Sequence, residues 1–204
     1  MKTLRFLPIL LLLIASIGCS QKKPLQEVFT DHLAQYRDTI VGNFSWSQID
    51  TLICEPLDSI SYPSYRGFHY RWRVFAKNKS VNDLVLGNTI GIHFVKEGDL
   101  DGDGADEWGY VTEWETSNWM MYQVYTYTDK NPQLLYEPLP LWLFHIDPES
   151  NSFVSAKTDI AAKSDRPGMV NVKFSDVRND GEDFLLIDTI VPLLIERRWN
   201  GAAA

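Results

Sequence analysis

The sequence predicts a mainly β fold of antiparallel strands, preceded by one N-terminal helix. Three observations carry that expectation. From residue 44 onward, aromatic and β-branched residues come in short runs broken by Gly, Pro, Asn and Asp, which is how strands and turns read. Phe68, Tyr70, Trp72 and Val74 alternate with His69, Arg71, Arg73 and Phe75, the two-residue period of a strand with one buried face. Strand-like runs also flank a dense acidic stretch, Asp99-Leu-Asp-Gly-Asp-Gly-Ala-Asp-Glu107.

In chain order, residues 1–18 read as an export signal. Lys2 and Arg5 form a charged start, Phe6 to Ile14 an apolar centre, and small residues lead to Cys19. The apolar run is short of the ~20 residues that a membrane-spanning helix needs. A Cys placed directly after small residues resembles a bacterial lipobox. That resemblance implies removal of residues 1–18, a lipidated Cys19, and residues 19–24 as anchor and tether. Acyl chains such as palmitate, at about 0.8 kcal/mol per buried CH₂, would hold the protein to a membrane of the cell envelope. The periplasmic or surface side stays open.

A single β-rich domain is expected over residues 25–199, with a disordered tail at 200–204. Leu25, Val28, Phe29, His32, Leu33 and Tyr36 have helical spacing, so a helix is expected over Leu25–Val41, ending near Gly42-Asn43, with His32 packed on its apolar stripe. Thr51–Cys54 reads as a short strand and Pro56–Gly67 as a loop. Strands follow at Phe68–Phe75, Leu84–Leu86 and Thr89–Val95. Beyond the acidic stretch, Gly109–Glu115 and Met120–Thr128 have the spacing of a hairpin. Asn131-Pro132 marks a turn, Leu134–Tyr136 and Leu141–Ile146 short strands, and Asp159–Pro167 a small helix or loop. Phe153–Ala156, Val170–Phe174 and Phe184–Glu196, interrupted at Pro192, complete the body.

The acidic stretch is the main chemical signal. Carboxylates this dense repel one another unless a cation sits among them. Side-chain oxygens at Asp99, Asp101 and Asp103, a backbone carbonyl at Ala105 and Gly104 for the sharp turn are what Ca²⁺ asks of a short loop. The alternative is a solvated acidic turn. An EF-hand is excluded, because its twelfth position needs Glu and here carries Tyr110. A strand–loop–strand clip closing with an acid at the ninth position resembles the integrin-type FG-GAP and VCBS repeats. The resemblance covers about fifteen residues. It implies a blade-like unit of a β-propeller in which Asp99, Asp101, Asp103 and Glu107 give side chains to a calcium ion and Ala105 its carbonyl. A chain of this length is too short for a closed propeller of ordinary size, so one or two compact antiparallel sheets are expected.

The pattern recurs in damaged form 77 residues downstream, from Asp176 to Phe184, with Arg178 at the third position and Phe184 at the ninth. There the Arg178 guanidinium is expected to replace the ion between Asp176 and Asp180; a chance Asp-Gly turn is the alternative.

Loss of residues 1–18 takes Lys2 and Arg5 out of 19 basic residues and leaves all 27 acids, moving formal net charge from −8 to −10. Such a domain is not drawn electrostatically to nucleic acid. With Cys19 lipidated, Cys54 is the only thiol and no intrachain disulfide can form.

Arg71 and Arg73 are expected to pair with nearby acids. His32, His69, His93 and His145 lack metal-ligand spacing, and no nucleophile elbow or phosphate loop occurs. The expectation is therefore a non-enzymatic lipoprotein that binds or scaffolds, with a protein or glycan partner. Trp108, Trp114, Trp119 and Tyr122 are read first as core. If exposed, they would form a glycan platform. Glu113 and Glu115 carry the remaining alternative, a carboxylate-dependent glycoside hydrolase.

Overall fold

The computed structural model describes residues 36–61, 68–113, 117–142, 160–177 and 185–195. Among these there are twelve strands and no helix. A four-stranded sheet holds β1 (Asp38–Gly42), β2 (Asp50–Ser61), β3 (Phe68–Ala76) and β4 (Leu84–Thr89), in that order. The central sheet is a meander of β5 (Gly91–Gly98), β6 (Glu107–Glu113), β7 (Trp119–Thr128) and β8 (Asn131–Leu134), with β9 (Leu139–Trp142) also paired to β7. A third sheet holds β10 (Ala161–Lys163), β11 (Met169–Ser175) and β12 (Leu186–Pro192). The pairings are antiparallel throughout.

The central sheet is buried on both faces. Met120, Tyr122 and Val124 of β7 and Val111 of β6 join Val170 and Val172 of β11 in one core. Trp108 and Tyr110 of β6 and Tyr127 of β7 join Leu52, Trp72 and Val74 of the first sheet in the other. With both faces of β6 covered, Trp108 and Tyr110 on one face and Val111 on the other are all buried. On β3 the alternation holds: Tyr70, Trp72 and Val74 are buried. On its other face Arg71 pairs with Asp58, and the Arg73 guanidinium lies 2.7 Å from Asp83.

Six expectations are corrected. Three sheets stand where one or two were expected. The strand expected over Leu134–Tyr136 ends at Leu134, and Leu135 and Tyr136 follow it as buried non-strand residues. The end of the expected helix, Asp38–Gly42, is a strand, because β-branched Thr39, Ile40 and Val41 pair with β2, Ile40 facing Leu52. Residues 25–35 lie outside the described residues. The expected loop from Pro56 is strand as far as Ser61. Pairing of β1 stops at Asp38 opposite Cys54, and the β2–β3 register shifts between Pro56 and Asp58, so the proline sits at an edge and a bulge. The turn after β7 is Asp129-Lys130, and Asn131-Pro132 begins an edge strand instead. Within Asp159–Pro167, residues Ala161–Lys163 are strand β10.

Candidate metal centre

Strands β5 and β6 form a hairpin closed by residues 99–106, with Gly98 opposite Glu107. The loop's acids fold it. Asp99 Oδ1 accepts the Gly102 N–H (2.7 Å), Asp101 Oδ1 that of Asp103 (3.1 Å) and Asp103 Oδ1 that of Ala105 (2.7 Å). Each is a side chain capping its own backbone two or three residues on, the turn chemistry typical of Asp. Gly102 and Gly104 have φ of +81° and +89°, a region that L side chains rarely adopt.

Glu107 closes the site. It is fully buried, unusual for a carboxylate outside an ion pair or metal site. Its Oε2 accepts the Leu100 N–H at 2.7 Å, while Oε1 is buried without a hydrogen-bond partner. Burial first, and the Asp101 charge second, push this carboxyl up to about 8, against the opposing pull of the Leu100 N–H, the Thr126 hydroxyl and the Asp101 N–H. Asp99, Asp101 and Glu107 each bring an oxygen within 4.8 Å of the others, so they could hold a metal ion. Asp103 does not join that trio. Ala105 is buried and is tied to Asp103 through its N–H. A donor set made only of oxygens suits a hard cation.

Two lysines attend the loop's outer acids. Lys163 Nζ lies 3.2 Å from Asp99 Oδ2 and Lys96 Nζ 2.9 Å from Asp106 Oδ2. Among the described residues no cation pairs with Glu107. Asp106 has a structural task that its sequence position does not announce. Its N–H donates to the Asn43 carbonyl and its Oδ2 accepts the Asn43 N–H, both at 2.7 Å, while Asn43 Nδ2 donates to the Gly104 carbonyl. The loop is thereby fastened to the end of β1. A Cβ on Gly42 would stand 2.6 Å from Asp106 Oδ2, so this approach requires glycine.

The remaining candidates divide by burial. Trp108 and Tyr122 are fully buried, as the core reading expects. Trp119 is half-buried against Trp142, ring centres 5.1 Å apart. Glu113 is the last residue of β6; Cys19, Trp114, Glu115, Arg178 and Asp180 lie outside the described residues. The second acidic stretch also joins two paired strands, β11 and β12, and its ends close where the Asp176 N–H donates to the Leu185 carbonyl at 2.8 Å. Asn43, Lys96 and Lys163 were not foreseen. Lys163 is 64 residues from Asp99, and no local pattern links them.

Comparison with protein-family models, curated proteins and solved structures yields no match. Among the described residues no helix is long and apolar enough to cross a membrane.

Proposed function

We propose that this chain is an envelope lipoprotein, anchored through Cys19, whose domain carries a structural calcium ion in the Asp99–Glu107 loop and serves in binding or scaffolding rather than catalysis. The buried Glu107 carboxylate carries the calcium reading. Burial first and the Asp101 charge second disfavour its ionised form, and one of its oxygens lacks a hydrogen-bond partner, so a bound cation is what would favour ionisation there. Asp99, Asp101 and Glu107 would hold the ion, with Asp103 and the Ala105 carbonyl completing its shell as the repeat resemblance implies. The meander β5–β8, with the acidic loop at its first hairpin, supports a blade-like unit. The ion would neutralise the loop and hold β5 and β6 at a fixed angle beside the Asn43 clamp.

The test is thermal unfolding with excess Ca²⁺ and with chelator. Ligand at about 100 times its Kd adds about 2.7 kcal/mol, a shift of several degrees at this size. Asp101→Ala should abolish the shift. No shift in the parent chain would sink the calcium reading.

A further inference from the structure

A second site lies away from the acidic loop. Ser45–Gln48, the β3–β4 turn (Asn78–Val81) and the β7–β8 turn (Asp129-Lys130) enclose a cleft of ≈ 390 Å³. That is within the ~300–1,000 Å³ range of small-molecule sites. Among the described residues four that are not glycine have positive φ: Trp46 (57°), Lys79 (58°), Asp129 (50°) and Lys130 (67°). All four line this cleft.

Hairpin geometry accounts for the backbone at two of these positions. Thr128 pairs with Asn131, leaving a two-residue turn that needs positive φ twice and normally takes Asn-Gly or Asp-Gly. It does not account for Lys130 where glycine would be relaxed, nor for a tryptophan, bulky and left-handed, at position 46. Strained side chains gathered around one cleft point to what those side chains do there.

The walls are fixed. Buried Asp50 accepts the Asn78 N–H at 3.1 and 3.2 Å and the Thr51 N–H at 2.7 Å, which anchors the β3–β4 turn. The Asn82 N–H donates to the Lys130 carbonyl and Asn82 Nδ2 to Asn131 Oδ1, both at 2.8 Å, bonding the turn of one sheet to the turn of the next. A site preformed in this way loses little to ordering when it binds.

The lining states the ligand chemistry. Trp46, 45 % exposed, offers an aromatic face. Ser45, Ser47, Gln48 and Asn78 offer hydroxyl and amide groups. Two lysines and one aspartate line it, so cations outnumber acids on the lining itself, in a chain of net charge −8; the Asp50 carboxylate lies behind Asn78. Lys79 has an acidic neighbour in Asp83 at 3.7 Å, but Asp83 is held more closely by Arg73 at 2.7 Å. We propose that this cleft binds an acidic saccharide: Trp46 covers the apolar face of the ring, the amides and hydroxyls meet its hydroxyls, and Lys79 and Lys130 receive its carboxylate. The site is independent of the calcium reading.

The test is calorimetric titration of the full-length chain with trigalacturonate and with its fully methyl-esterified form. Chelator is kept present so that no loop-bound metal bridges to the sugar. Trigalacturonate should bind with a Kd of about 1 mM or tighter, and the uncharged ester at least about tenfold more weakly. Trp46→Ala should remove binding. Lys130→Gly should weaken it about fivefold or more while leaving Tm unchanged or raising it by a few degrees, because glycine relaxes the turn. That opposition between affinity and Tm separates a binding role from a structural one. No binding at millimolar trigalacturonate, equal binding of the ester, or unaltered binding by either variant would overturn the proposal.

Discussion

The Lys163 ammonium, carried on β10, stands 3.2 Å from Asp99 Oδ2, so a loop of the central sheet is met by a cation from the third. The pair is substantially solvated, with side chains 55 % and 32 % exposed, and contributes about 0–1 kcal/mol to stability. Its larger consequence is competition, since Asp99 belongs to the trio that could hold a metal. Lys163→Met should leave the metal-free Tm nearly unchanged and tighten Ca²⁺ binding about three- to tenfold, as expected when a screened charge is withdrawn from a cation site. Terbium luminescence titration with Ca²⁺ displacement reads this directly. Weaker binding in the variant would mean that Lys163 positions the loop instead of competing for it.

Glu107 makes the metal-free domain sensitive to pH. Its folded carboxyl is raised to about 8 against an ordinary 4.5. Between those values the unfolded chain releases the proton that the folded chain keeps. Stability is therefore full below about 4.5, falls as pH rises, and levels off above about 8. The loss should amount to a few kcal/mol across that window. Denaturant melts in chelator at pH 5.5 and 8.5 should show the chain more stable at the lower pH, and Glu107→Gln should flatten the difference. Saturating Ca²⁺ should offset the loss, because the ion takes the place of the proton. A greater stability at pH 8.5 in chelator, restored to the opposite order by no substitution at Glu107, would exclude this account.

Gly109 of β6 pairs with Val124 of β7. A Cβ there would meet the Tyr122 ring at 2.9 Å and the Gln123 carbonyl oxygen at 3.0 Å. Tyr122 cannot swing aside freely: it is fully buried and its hydroxyl donates to Glu97. Gly109→Ala should therefore destabilise by about 1–3 kcal/mol, as overpacking of a filled core does. Gly87→Ala is the control, since nothing lies within 4 Å of that position and its φ is ordinary. Equal melting temperatures for the two variants would show that the sheets yield more than their packing implies.

Local pattern made much of this legible. The β3 alternation, the hairpin after the acidic loop and the glycine at its sharp turn are short-range effects, written within a few residues of where they act. The errors arose where a partner strand decided the outcome. Asp38–Gly42 joins a strand because β2 offers it an edge, although the residues before it have helical spacing. Pro56 is tolerated within β2 because β1 no longer pairs there. At the acidic loop the candidate ligand types could be read from spacing, but the Asn43 clamp and the Lys163 contact join residues 61 to 64 apart, and only the packing of the sheets brings them together. Trp46 carried no signal in sequence, since its meaning lies in a backbone angle and in two turns from elsewhere in the chain.

The two cysteines give a test of the lipid anchor. Cys54 is fully buried in β2, and burial first, then the Asp38 and Glu55 charges, push its thiol well above the usual range. The thiolate is the reactive form, so native Cys54 should resist maleimide and react only as the domain unfolds. A lipidated Cys19 has no free thiol. Chain extracted from bacterial envelopes in mild detergent should therefore take up no maleimide when native and one equivalent in denaturant, read by intact mass. Cys54→Ala chain from the same source should take up none in either state. Rapid uptake by the native chain that persists in Cys54→Ala would place a free thiol at Cys19 and remove the anchor from the proposed function, while leaving the acidic loop and the Trp46 cleft untouched.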